Sequence, residues 1–231
     1  ILGMGTGTYA KQCMRYFEDV TVEGVEIDQK ITDLAGTYFA LPDSVQVTTY
    51  DGRAYLQAVD QKYDVIMVDA YQDITIPFQM SSVEFFTLVE EHLKEDGVMV
   101  VNMNMKSGDA AAKESINAYL ADTIATVFDS VYTVDVTGST NRELFAARDG
   151  VLPELLAARA GQAADPELGG LMESVSDSLT AYEPGNRILT DDKAPVELLG
   201  MRVIDELIRD EIGIYRDIFK ERGIEGLLGV M

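Results

Sequence analysis

Apolar runs rich in β-branched residues alternate with segments of helical period through the first two thirds of the chain. This alternation predicts an α/β sheet with helices on both of its faces. The predicted strands are a stub at Ile1 and residues 22–27, 45–49, 63–69, 97–102, 131–136 and 143–147. The predicted helices are residues 8–17, 29–39, 52–59, 82–94 and 110–128.

The last two predicted strands are separated only by residues 137–142, whose Gly, Ser, Thr and Asn are typical of a turn. We therefore predict a terminal antiparallel β-hairpin. Five β-α units followed by a hairpin differ from a dinucleotide dehydrogenase, in which the second half repeats the first. The pattern predicts a Rossmann-like, seven-strand methyltransferase-type sheet over residues 1–150.

Residues 151–231 are predicted to form a C-terminal helical extension packed on the same domain. Pro153 and Pro166 lie where helices are expected to begin. The Gly169-Gly170 pair is expected to interrupt a helix, and the last helix is expected to end near Phe219.

The composition limits the partners of the chain. Its 18 basic and 40 acidic residues give a net charge of -22, which argues against nucleic acid or an anionic membrane surface and would attract a cationic small substrate. No apolar run approaches the roughly 20 residues that span a bilayer, so a cytoplasmic protein is expected. Cys13 and His92, the single residues of their types, cannot form a typical structural zinc site, and no metal is predicted. His92 is expected at the surface of a helix end.

Three glycines at alternate positions, Gly3, Gly5 and Gly7, follow the first strand, and Glu26 ends the second strand about twenty residues later. Glycines allow a sharp turn from strand to helix and a close approach to a ligand, while an acidic residue can accept hydrogen bonds from two ribose hydroxyls. Thr8 stands where a dinucleotide-binding fingerprint has its third glycine. We therefore favour an S-adenosyl ligand over NAD.

Two further strand ends carry candidate cofactor contacts. Ile27 is expected to cover one face of an adenine, and Asp28 is better explained as a helix N-cap. Asp51 and Gly52 follow the third strand, where they can bind the adenine amino group and a ring nitrogen. Asp51 can also cap the next helix, and both interpretations are compatible. Arg53 is expected to be solvated or paired with an acid.

The segment from residue 63 to residue 78 contains the main candidates for catalytic residues. Asp69 ends a buried strand, where a carboxylate can bind an ammonium group and take its proton. The alternative is that Asp69 only caps the following loop. Tyr71 is predicted to form one wall of the substrate site, and the loop through Pro77 is predicted to close over it.

Taken together, these motifs resemble the spermidine synthase family of polyamine aminopropyltransferases, and in particular a bacterial spermidine synthase-like group, over roughly residues 1–150. Residues 189–197, Leu-Thr-Asp-Asp-Lys-Ala-Pro-Val-Glu, are similar to a marker of that group. The resemblance implies transfer of an aminopropyl group from decarboxylated S-adenosylmethionine to an amine, with release of methylthioadenosine, and a homodimer. It implies these sites: Gly3, Gly5, Thr6 and Gly7 under the ligand, Glu26 at the ribose, Asp51 and Gly52 at the adenine, and Asp69 as base.

The chain differs from that family at three places. Members active on putrescine carry Asp where this chain has Thr6. They follow the strand-four Asp with Ser-Ser-Asp-Pro, whereas residues 70–73 are Ala-Tyr-Gln-Asp, so Asp73 is the candidate for the second acid at a spacing one residue longer. The family's N-terminal β-rich segment is absent, and we expect the gene to encode further residues upstream of Ile1.

Two other functions stay open at this point. Thr6 would leave room for the carboxylate of ordinary S-adenosylmethionine, which would suit a methyltransferase acting on a small acceptor. The third possibility is a non-catalytic ligand-binding or assembly module within a larger chain.

Overall fold

The computed structural model describes residues 1–71, 76–103, 115–139, 141–150 and 152–228, without the side chains of residues 202–207, 210–211 and 226–228. In chain order its elements are α1 (Thr8–Tyr16), β1 (Glu23–Glu26), α2 (Gln29–Tyr38), β2 (Gln46–Thr49), α3 (Gly52–Ala58), β3 (Tyr63–Val68), a 3-10 turn (Phe78–Met80), α4 (Val83–Glu91), β4 (Leu93–Met103), α5 (Ile116–Ile124), β5 (Ser130–Asp135), β6 (Arg142–Ala147), α6 (Leu152–Ala160), α7 (Pro166–Ser178), β7 (Thr180–Ala181) and α8 (Val196–Leu228).

The strands form a mixed five-stranded sheet in the order β3-β4-β6-β5-β7 and a parallel pair, β1-β2. Strands β5 and β6 pair antiparallel from Ser130 opposite Ala147 to Asp135 opposite Arg142, which confirms the predicted hairpin. Leu2 lies between the two sheets and forms parallel bridges to Val25 and to Val68. The start of the chain therefore connects β1 to β3.

Helix α4 shows how the core forms. Phe85, Phe86 and Val89 recur at helical spacing and are all fully buried. The two phenylalanine rings meet edge to face, with centroids 5.3 Å apart. They pack with β3 and β4 residues such as Val68 and Met99, so the central strands are held between buried side chains. The ends of these strands, rather than their middles, are free to carry polar groups.

The junction between α4 and β4 differs from the prediction. The helix ends at Glu91 instead of residue 94, because Leu93, only 1% exposed, already pairs with Tyr63 in the sheet. The expectation that His92 lies at the surface was wrong: the residue is 9% exposed. Its Nδ1 lies 2.7 Å from the Leu88 carbonyl oxygen and its Nε2 lies 2.9 Å from that of Val59. A helix that passes directly into a central strand must end inside the protein.

The C-terminal helices also depart from the pattern. Gly169 and Gly170 lie within α7 and do not interrupt it. Asp165 caps this helix by accepting hydrogen bonds from the backbone N–H of Glu167 and Leu168. Helix α8 continues beyond Phe219 and is broken instead at Gly223, where φ is 62°. Within the described ranges, no helix combines the length and apolar composition needed to cross a bilayer.

A buried carboxylate connects the C-terminal segment to the sheet domain. Asp122 of α5 accepts hydrogen bonds from the Tyr182 hydroxyl at 2.6 Å, the Gly185 backbone N–H at 2.8 Å and Arg187 Nε at 2.8 Å. Burial alone would raise the pKa of Asp122, but these hydrogen bonds outweigh burial and lower it. The turn that leads to residues 189–197 is therefore attached to α5.

Candidate active site

A cavity of about 500 Å³ lies at the carboxyl ends of β1, β2 and β3. Ligands of open α/β sheets bind at this edge, because loops leave the strands there and bring their polar groups together. Eight residues singled out in the sequence line it: Gly3, Gly5, Glu26, Ile27, Asp51, Gly52, Asp69 and Tyr71. The cavity is also lined by four residues that were not predicted from the sequence, Ile31, Tyr50, Gln79 and Met80. Tyr50 directly precedes Asp51, but no pattern marks the other three.

Two glycines determine the shape of the glycine loop, residues 3–7. Gly3 has φ +83°, and a Cβ there would lie 2.5 Å from the Asp69 carbonyl oxygen. A side chain is therefore excluded where the loop crosses the end of β3. Gly5 has φ +55°, with no atom within 4 Å of the place its Cβ would take. The loop is thus open toward the cavity at Gly5.

Thr6 and Gly7, the other two predicted contacts of the loop, lie differently. At Gly7, a Cβ would lie 2.4 Å from Leu41 Cδ1, so this glycine allows packing against the protein. Neither Gly7 nor Thr6 belongs to the described lining of the cavity. The structure therefore brings together two of the four predicted loop contacts.

Glu26 is held by the loop that it faces. The residue is 7% exposed, its Oε2 accepts a hydrogen bond from the Gly5 backbone N–H at 2.8 Å, and its Oε1 accepts one from that of Asp28 at 3.1 Å. A carboxylate can accept about four hydrogen bonds, so each oxygen keeps capacity for one more donor. Asp28 itself accepts from the Lys30 backbone N–H at 2.8 Å, which confirms that it caps α2. Ile27 is 70% exposed and forms an apolar edge of the cavity.

The third strand end combines a cap with an ion pair. Asp51 caps α3 by accepting a hydrogen bond from the Ala54 backbone N–H at 2.8 Å. Arg53 donates two hydrogen bonds to Asp191, at 2.7 and 2.6 Å, and a third to the Gln79 carbonyl oxygen at 3.0 Å. The expected pairing of Arg53 with an acid is thus confirmed.

Asp191 belongs to the 189–197 segment and is held from two sides. Ser82 Oγ donates to its Oδ1 at 2.5 Å, and the hydrogen bonds from Arg53 lower the pKa of Asp191. Since Gln79 lines the cavity, this ion pair connects the C-terminal segment to the cavity wall. A segment 138 residues away in the sequence therefore supports the loop after β2.

Asp69 lines the cavity directly after the end of β3. Its carboxylate accepts a hydrogen bond from Asn102 Nδ2 at 2.9 Å, and Asn102 Oδ1 in turn accepts one from Asn141 Nδ2 at 2.9 Å. Burial raises the pKa of Asp69, and the Asn102 hydrogen bond reduces that rise. The Tyr71 hydroxyl donates to the Asn102 backbone carbonyl. Asp73, the third predicted catalytic residue, lies outside the described residues.

A second carboxyl group near Asp69 was not singled out in the sequence. Glu143 is in β6, and its Oε2 is buried without a hydrogen-bond partner in the described chain. Burial first, and the charge of Asp69 second, raise the pKa of Glu143 to about 7. The signal that could have revealed it is its position at the start of the second hairpin strand. Because that strand runs antiparallel, it begins at the edge where the parallel strands end.

The sequence of the chain is similar to those of known proteins. Residues 1–138 match the model of the spermine/spermidine synthase domain. A probable polyamine aminopropyl transferase of Bifidobacterium longum is 54% identical over 99% of this chain, and the chain spans about half, 54%, of that relative.

Two solved structures share the fold. A spermidine synthase in complex with the transition-state analogue AdoDATO superposes with a TM-score of 0.59 at 16% identity, over 74% of this chain and 64% of that one. Human methyltransferase-like protein 13 in complex with SAH gives 0.57 at 23% identity, over 79% of this chain and 82% of that one. The architecture is thus a methyltransferase-like α/β fold, and the sequence match shows that the chain belongs to the spermine/spermidine synthase family.

Proposed function

We propose that this chain binds decarboxylated S-adenosylmethionine and transfers its aminopropyl group to an amine acceptor, releasing methylthioadenosine. The observation that carries the proposal is Asp69, a partly buried carboxylate at the end of β3 that lines the cavity and has a raised pKa. A base with a raised pKa takes a proton more readily than an ordinary carboxylate does. Family membership and the aminopropyl transferase of Bifidobacterium longum support the same reaction.

In the proposed reaction, the acceptor nitrogen attacks the propyl carbon attached to the sulfonium. The new C–N bond forms as the C–S bond breaks, and the bonding electron pair stays on sulfur as methylthioadenosine leaves. Asp69 takes the proton that the amine loses, and Asn102 holds the carboxylate in position. Because sulfonium leaves readily, most of the catalysis is the positioning of the two reactants.

The other cavity residues suit the adenosine part of the donor. Glu26 keeps hydrogen-bonding capacity for the two ribose hydroxyls after holding the glycine loop. Asp51 uses one oxygen as a helix cap, so its second oxygen can accept the adenine amino group, with Ile27 against the ring. We further infer that Leu2 joins β1-β2 to the five-stranded sheet as the central strand of one continuous sheet.

The test is Asp69→Asn in the full-length gene product, assayed for methylthioadenosine release from decarboxylated S-adenosylmethionine and a panel of diamines. We expect turnover to fall by roughly 100-fold or more, in the range of a lost general base, with the donor Kd nearly unchanged. Asp64→Asn is the matched control, because Asp64 is in the same strand but is exposed and pairs with Lys94. No release by the unaltered protein with any diamine would refute the proposal, and equal activity of both variants would refute the role of Asp69.

One observation favours a second candidate, methyl transfer. The glycine loop carries no charge, since Thr6 is its only polar side chain, and would not repel the carboxylate of ordinary S-adenosylmethionine. Calorimetry with both ligands separates the two reactions. Tighter binding of the carboxylated ligand would support methyl transfer, and tighter binding of the decarboxylated ligand would support aminopropyl transfer.

A further inference from the structure

Asn102 of β4 lies between Asp69, which follows β3, and Glu143 of β6. In the antiparallel ladder between β4 and β6, Glu143 stands directly opposite Asn102. Directly opposed residues place their side chains on the same face of a sheet, about 5 Å apart. The Asn102 side chain donates its hydrogen bond to Asp69. Glu143 is therefore on the face and at the edge of the sheet where the Asp69 carboxylate meets the cavity.

One oxygen of the Glu143 carboxylate lacks a donor within the described ranges. Its Oε2 is buried and has no hydrogen-bond partner there. The titratable groups that face it are the carboxyl of Asp69 and the phenol of Tyr9 at the start of α1, neither of which is a cation. The adjacent Arg142 donates instead to Asp135, at 2.6 Å. A buried carboxylate oxygen without a donor is rare in native proteins, and a bound cationic group is one partner that would satisfy it.

We propose that Glu143, together with Asp69, binds a primary ammonium group of a substrate. An ammonium brings one positive charge and three N–H donors, which suits two neighbouring carboxylates. The inference rests on the proposed function, in which both the aminopropyl donor and a diamine acceptor carry such a group. The glycine loop has no acidic residue, so within the described site the second carboxylate beside Asp69 would come from β6.

Glu143→Gln tests this, because it keeps the shape of the side chain and removes its charge. Calorimetry would compare decarboxylated S-adenosylmethionine with methylthioadenosine, which has the adenosine and the sulfur but no ammonium. If the donor ammonium is the ligand, donor affinity should fall roughly 10-fold or more, as expected for a lost charge-assisted hydrogen bond, with methylthioadenosine affinity unchanged. If the acceptor ammonium is the ligand, the KM for the diamine should rise by a similar factor and the donor Kd should stay constant.

Glu173→Gln is the control variant, since Glu173 is an exposed residue of α7 and its loss changes the net charge equally. A Glu143→Gln protein that matches this control in both donor affinity and diamine KM, while releasing methylthioadenosine normally, would overturn the inference and leave the proposed function intact. An unaltered protein that neither binds the donor nor releases methylthioadenosine would overturn both. A thermal melt confirms that each variant is folded.

Discussion

Replacing Glu143 by Gln should stabilise the protein, and the gain should depend on pH. Burial and the charge of Asp69 raise the pKa of Glu143 from its ordinary value of 4.5 to about 7. The folded protein therefore holds this proton more tightly than the unfolded chain does. As pH rises from about 4.5 to 7, the unfolded chain releases the proton first, so the free energy of unfolding falls. Gln has no proton to lose and avoids this destabilisation.

The size of the effect follows from the pKa difference. At about 1.36 kcal/mol per pKa unit, a carboxyl group fully shielded from water would lower the free energy of unfolding by about 3 kcal/mol across this range. Glu143 is partly exposed, and solvent screening lowers the figure to about 1–2 kcal/mol. Tyr9 contributes no change in charge over this range, because burial raises its pKa further above neutrality. The variant should thus equal the unaltered protein near pH 4.5 and exceed it by about 1–2 kcal/mol at pH 8.

Urea unfolding at pH 5, 6, 7 and 8 measures this difference, and the midpoint is compared at constant m-value. The Glu173→Gln control should show a difference that does not change with pH. In an Asp69→Asn background the gain from Glu143→Gln should shrink without vanishing, because the charge of Asp69 is removed but burial is not. A stability difference that is flat, or that decreases toward pH 8, would contradict this prediction.

Two further predictions concern the cavity wall. Gly3→Ala should destabilise the protein by about 2–4 kcal/mol and abolish ligand-induced thermal stabilisation, because its Cβ would collide with the Asp69 carbonyl at a positive φ. The control is Gly36→Ala, at an open helical position, and an equal effect of the two substitutions would contradict the prediction. A double-mutant cycle of Arg53→Ala and Asp191→Ala should give a coupling of about 1 kcal/mol in urea unfolding, and additive effects would show that the ion pair contributes nothing.

The order of strands and helices could be predicted because each element carries its own local signals. Asp28 and Asp51 stand directly before helices and cap them, and both caps follow from residue type and position alone. The burial of His92 could not be predicted from such local signals. The helix before it ends in the polar residues Glu90 and Glu91, and nothing in the local sequence shows that Leu93 is already paired within the sheet.

Contacts between distant segments could not be predicted from spacing. The ion pair between Arg53 and Asp191 joins residues 138 apart, and it depends on how the C-terminal segment passes the loop after β2. The position of Glu143 depends on the register that sets it opposite Asn102. A slip of one residue would turn its side chain to the other face of the sheet. A strand pattern of period two gives the face of a residue only when the partner strand is known.

Four acidic residues at this edge of the sheet differ in how far the protein satisfies them. Glu26 accepts two backbone N–H groups, Asp51 accepts one, Asp69 accepts the Asn102 amide, and the buried Glu143 Oε2 has no described donor. The net charge of -22 is common to the whole surface and cannot separate them. Satisfied carboxylates suit the neutral hydroxyl and amino groups of adenosine, whereas an unsatisfied one needs a cation. This difference supports our proposal that the adenosine binds near β1 and β2 and the ammonium beside β4 and β6.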